Sequence, residues 1–233
     1  MKYLEKQLAS GNLTVTVRYS GARKRVAFSV QNGVPVLLAP AGCPDSFLIQ
    51  ILQDHHAVLQ QLLRQDARRR ADAYPPPDFR IGGTFRFLGQ PCTIVNGTPS
   101  GFDGRYFRTS CQAPAAVKRD ILASCRTFAR QILCAKVAET AAKHDIPFCT
   151  ISINSANSRW GSCSASGALH FPWKIVLLPE ELIDYIVAHE LAHRRQMNHS
   201  PAFWQEVAKI CPDWKERRKA LRSEERKLCL WDL

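Results

Sequence analysis

The chain has 233 residues, 45% of them hydrophobic, and a formal net charge of +12, which is length and apolar content enough to bury a substantial core in one domain or two. No apolar run reaches the length of a membrane span, and the opening MKYLEKQLASGNLTV has neither an apolar signal core nor a cleavage site, so the expectation is a cytoplasmic protein with no membrane partner. Nine scattered cysteines without a CxxC pair argue against a disulfide framework and a cysteine-type zinc site.

The charge has two dense sources, Arg64–Arg70 and Lys215–Lys227. Such fields attract phosphate, which makes nucleic acid a candidate partner; solvated helix faces are the plainer account, and no aromatic RNA-binding signature accompanies either run.

In chain order, Leu13–Tyr19 and Arg25–Val30 alternate, and Gln31-Asn32-Gly33 turns into Val34–Leu38, which predicts a small antiparallel sheet. Pro40–Pro44 interrupts it. Asp45 or Ser46 then caps one long helix to about Ala71, with Phe47, Ile51, Leu52, Leu59, Leu62 and Leu63 as its stripe. His55 and His56 lack a spaced partner and are assigned to structure or surface. After Tyr74–Pro77, Phe79–Leu88 and Pro91–Val95 form a hairpin around Gly89-Gln90, and Asn96–Cys111 is a loop with at most short strands. Ala113–His144 is a second long helix, with Val117, Ile121, Leu122, Cys125, Phe128, Ile132, Leu133 and Val137 as its core stripe, packed behind the helix that follows. Phe148–Ile153 and Ala168–Leu178 are strands.

Between those strands, Ser158–Cys163 (SRWGSC) places a basic side chain, a large aromatic and a glycine near a hairpin edge, where an extended peptide can add as a strand. Arg159 is a candidate for holding an oxyanion or an acidic substrate group, and Trp160 for a substrate contact; loop packing is the alternative for both.

Leu182, Ile183, Ile186, Val187 and Leu191 recur at helical spacing after a first turn of Pro179 and Glu180–Glu181. This helix carries His189-Glu190-Leu191-Ala192-His193. Four-residue spacing puts both imidazoles within reach of one metal ion, with Glu190 beside the water it would carry. Two histidines and a glutamate among such neighbours are costly to bury without a partner. Tyr185, one turn earlier on the same face, is a candidate site contact, with core packing as the alternative.

A catalytic zinc takes three protein ligands and keeps a position open. His199 is the third candidate, but on a continuous helix it would lie about 15 Å along the axis from His189, so the helix must end first. Asn198 suits a left-handed C-terminal turn, and Ser200-Pro201 reads as the cap and first residue of a helix to Ile210, leaving His199 in the turn. Gln196 stands where the metzincin signature has glycine, so the chain is not assigned there. Glu206, or a later acid, stays open as an acidic third ligand. Phe203 and Trp204 pack the second helix against the first.

Ser158–Cys163, Ile186–His193 (IVAHELAH) and Asn198–Trp204 (NHSPAFW), in that order, resemble the YgjP-like metallopeptidase family, related to the SprT-like zincins. The motifs span about 145–228, and the β-rich segment upstream is similar to that family's N-terminal portion. The resemblance implies a zinc-dependent hydrolase fold with Zn2+ held by His189, His193 and His199 and Glu190 as general base. One departure is His170, where the family tends to carry Asn. Elements and resemblance together predict an α+β fold: an N-terminal β-rich portion with one long helix over 1–111, then a zincin-like catalytic domain over 112–233 with an active-site helix, a small antiparallel sheet and packing helices.

The expected function is a zinc metallopeptidase acting on a peptide or protein substrate. Two alternatives stay open: a zinc hydrolase of a nucleotide or other phosphate-bearing substrate, and a DNA-associated protease or binding module. A purely structural zinc lacks an evident fourth ligand and leaves Glu190 without a task.

Overall fold

The computed structural model describes residues 4–10, 13–31 and 33–231. Contacts divide the chain into two compact units, Met1–Tyr74 with Arg226–Leu230, and Pro75–Glu225 with Trp231–Leu233.

The first unit contains β1 (Leu4–Ser10), β2 (Leu13–Ser20), β3 (Ala27–Gln31), β4 (Val34–Pro40), α1 (Asp45–Asp54) and α2 (His56–Ala71). The expected antiparallel sheet is instead mixed, in the order β1-β2-β4-β3, with β2 and β4 parallel. The apolar run of β4 accounts for its central place, since Val36, Leu37 and Ala39 are all buried there, whereas β3 has no fully buried residue. Asn32 of the expected turn lies outside the described residues. The expected single helix is broken at His55, which leaves helical geometry (φ −110°, ψ 19°) and packs edge-on against Phe28. Neither Asp45 nor Ser46 is the cap. Pro44 takes that place, and Asp45 pairs with Lys6 and accepts from Tyr19 Oη at 3.3 Å. Leu48, Leu52 and Leu59 close the core over Val15, Val17, Leu37 and Ala39; Phe47 of the expected stripe is exposed.

The second unit begins with β5 (Thr84–Phe87), β6 (Gln90–Asn96), β7 (Gly101–Phe102) and β8 (Tyr106–Thr109). This sheet repeats the first in order and sense: β5-β6-β8-β7, with β6 and β8 parallel. The turn of its first hairpin is Leu88-Gly89, both at positive φ (47° and 76°), the pairing a tight two-residue hairpin requires. Leu88 N–H donates to the Val176 carbonyl at 2.7 Å, and a Cβ on Gly89 would lie 2.7 Å from Pro179 Cγ. The hairpin is thereby seated at the start of the helix that carries the histidines.

Helix α3 (Pro114–His144) starts with proline at its first position and buries Val117, Ile121, Cys125, Ala129, Leu133, Val137 and Ala141, a strict four-residue stripe. Phe128 meets Phe87 edge-on at 4.8 Å, and Phe87 stacks on Phe102 at 3.5 Å. These rings tie the sheet of 84–109 to α3, and the expected domain limit at 111/112 falls between β8 and α3. The third sheet, β9 (Thr150–Asn154), β10 (Ser162–Cys163) and β11 (Ala168–Pro172), runs β10-β11-β9, with β11 parallel to β9 and antiparallel to β10. The strand expected over Ala168–Leu178 stops at Pro172. A 3-10 turn, Trp173–Leu177, replaces the rest, because a short apolar run has no periodicity to separate strand from helix. Helices α4 (Glu180–Ala192), α5 (Pro201–Ile210) and α6 (Trp214–Lys227) follow. α3 packs behind α4, where Lys136 pairs with Asp184 at 2.7 Å and Glu180 at 3.4 Å. Among the described residues no helix is long and apolar enough to cross a membrane.

Candidate active site

Helix α4 buries most of its surface: Leu182, Ile183, Ile186, Val187 and Leu191 are all in the core. His189 and Glu190 sit on its last turn, and His193 is its C-terminal cap. The chain then turns through Arg194–Asn198. Asn198 does not adopt the left-handed conformation expected of it; its Oδ1 accepts from Ser200 N–H at 3.3 Å, so the reversal is fixed by a side chain. Ser200 accepts from Phe203 N–H at 3.4 Å, and Pro201 opens α5. This geometry returns His199 to α4.

His199 Nε2 lies 3.1 Å from His189 Nε2, and one nitrogen from each of His189, His193 and His199 falls within 4.8 Å of the others. Nitrogen ligands about 2.0–2.1 Å from a tetrahedral ion stand about 3.3 Å apart, so the spacing suits one cation. His193 Nδ1–H donates to the Gln196 carbonyl at 3.1 Å, which turns the Nε2 lone pair inward. His189 Nδ1 is buried without a hydrogen-bonding partner among the described residues. Burial, then the neighbouring His193 and His199, holds the His189 imidazole down to about 3, and burial lowers His193 as well. Both are therefore neutral near pH 7, the protonation state in which an imidazole nitrogen can ligate a metal.

Phe203, fully buried, touches all three imidazoles at 4.5 to 4.9 Å between ring centroids. Trp204 stacks on His199 at 5.9 Å and on Trp214 at 4.4 Å. Glu206, the alternative ligand, faces elsewhere, pairing with Arg195 at 2.9 Å and with Lys209. His170 hydrogen-bonds to Ser152 on the neighbouring strand.

Glu190 is 5% exposed. Its burial pushes the carboxyl up to about 8, partly opposed by Arg159. A cavity of about 210 Å³ opens on it, lined by Arg159, Trp160, Gly161, Tyr185, Ile186, His189 and Leu221. Arg159, Trp160, Tyr185, His189 and Glu190 thus meet in one place. Trp160 Nε1–H donates to Glu225 at 2.7 Å, and Lys174 lies over its ring at 5.4 Å. Tyr185 is 6.1 Å from His189 between centroids, with burial pushing its phenol up to about 12.

The wall from α6 escapes the sequence reading. Leu221 lines the cavity, and Arg218 lies 4.5 Å over Trp204. Its only trace in the sequence is the spacing Trp214, Arg218, Leu221 within an otherwise polar run, the three- and four-residue rhythm of one helix face.

No curated protein matches the chain. Among solved structures it is similar to the metallopeptidase zymogen abylysin of Pyrococcus abyssi (23% identity, TM-score 0.37, over 40% of this chain and 93% of that one). It is likewise similar to the zymogen jannalysin of Methanocaldococcus jannaschii (22% identity, TM-score 0.36, over 40% and 96%). The YgjP-like metallopeptidase domain matches residues 24–224. The chain belongs to the YgjP-like metallopeptidase family.

Proposed function

We propose that the chain is a zinc-dependent peptidase in which His189, His193 and His199 hold the ion and Glu190 is the general base. The observation that carries this is the convergence of three imidazole nitrogens within 4.8 Å of one another, one of them from His189, which lines the same cavity as the buried Glu190. Three imidazoles suit zinc. A zinc ion, when bound, supplies the Lewis acidity that makes water a nucleophile near neutral pH.

The chain's own groups do the rest. Burial raises the proton affinity of the Glu190 carboxylate, and the charge of a bound cation counters that rise, leaving a base suited to neutral pH. Glu190 takes a proton from the attacking water as the new C–O bond forms. It returns that proton to the amine nitrogen as the C–N bond breaks. Arg159, at the cavity wall, is available to the oxygen on which negative charge develops, while Trp160 and Tyr185 shape the space for the peptide.

Glu190→Gln tests the reading. It preserves shape but cannot accept a proton, so zinc content should stay at the wild-type level while kcat falls by at least about a thousandfold. Turnover at the wild-type rate would remove Glu190 from the reaction.

A further inference from the structure

The cavity beside Glu190 has Arg159 on its wall, and two further arginines stand on the neighbouring helix α6. Arg159 lines it and is exposed, and no carboxylate lies within ion-pair distance of its guanidinium among the described residues. From α6, Leu221 reaches the same cavity; Arg218 lies one turn before Leu221, and Arg222 one turn after Arg218. Neither forms an ion pair among the described residues. Arg218 is instead held by its stack over Trp204, whose ring lies 5.8 Å from His189. A guanidinium fixed by its face keeps its edge N–H groups for another partner.

The two carboxylates nearby do not balance this charge. Glu190 forms the buried floor, and Glu225 is engaged by Trp160 Nε1–H, with Lys174 over the same ring. Burial pushes the Tyr185 phenol up, and Arg218 and Arg222 oppose that push, so their field reaches the residues that line the cavity. Planar guanidinium groups match carboxylates two N–H at a time.

We infer that the site selects peptides carrying an aspartate or glutamate beside the bond to be cleaved, with Arg159, Arg218 and Arg222 as the recognising cations; this rests on the peptidase reading above. The basic face of α6 is then part of the substrate site.

The test uses the zinc-loaded full chain and fluorogenic peptide pairs that differ only as Glu against Gln, or Asp against Asn, on either side of the cleaved bond. The acidic member should show kcat/KM about tenfold higher at about 50 mM salt, with the ratio shrinking at about 500 mM. Arg159→Gln combined with Arg222→Gln, both at exposed positions, should bring the ratio below about two. Equal kcat/KM within each pair, or a ratio untouched by the double variant, would overturn the inference. Binding of the same pairs to Glu190→Gln, followed by tryptophan fluorescence, separates the two proposals. Preferential binding of acidic peptides without cleavage by the wild type keeps the selectivity and contradicts the hydrolytic reading; equal binding sinks the selectivity whatever the wild type cleaves.

Discussion

A Cβ placed on Gly161 would lie 2.5 Å from Glu190 Oε1 and 2.7 Å from its Cγ. The SRWGSC loop is therefore pressed against the proposed base, and only the absence of a side chain at 161 lets the two coexist.

Gly161→Ala follows from that contact. The added methyl should shift the carboxylate by about an ångström, and misplacement on that scale costs about a hundredfold in rate. Zinc content should be unchanged, since the three atoms nearest the new group all belong to Glu190. Steady-state kinetics beside metal analysis check this, and an unaltered kcat would mean that Glu190 needs no fixed position.

Phe203→Ala probes the packing that holds the histidines. Removing a fully buried phenylalanine costs about 3–5 kcal/mol. This one also spaces all three imidazoles, so thermal stability and zinc affinity should fall together, with Phe203→Leu intermediate in both. Zinc affinity kept at the wild-type value in a destabilised Ala variant would separate packing from the metal site.

Much of this site is legible along the chain because its determinants are local. The spacing of His189 and His193, the cap at Ser200-Pro201 and the loop at Arg159-Trp160 each depend on residues a few places apart. What is not legible depends on distant partners. The parallel pairing of β2 with β4, and of β6 with β8, joins strands that are not neighbours in sequence, and short alternating segments do not specify their neighbours. The break at His55 accompanies its contact with Phe28, a residue of another element. The α6 wall is hidden because Arg218 and Leu221 sit in a run whose composition reads as solvent-facing.

The thiols give a pH-dependent prediction. Burial pushes Cys92 up to about 11 and Cys125 up to about 12, against 9.0 for a free thiol, while Cys134, Cys149 and Cys229 are exposed. At pH 8 a thiol reagent should label the exposed three quickly and Cys92 and Cys125 only after unfolding. Folded thiols keep their protons to higher pH than unfolded ones, so their contribution to stability is whole below about pH 9 and is lost as pH rises towards 11 and 12. Rapid labelling of Cys125 in the folded chain at pH 8 would contradict its place in the α3 core.

The most direct test is zinc per chain, measured after chelation, reconstitution and dialysis, for the wild type and His199→Ala in parallel. The proposed site predicts about one zinc per wild-type chain and a large loss in the variant, because two imidazoles from one helix turn leave the ion without its third protein ligand. Zinc kept at full occupancy by His199→Ala, or absent from the wild type after reconstitution, would contradict the three-histidine centre.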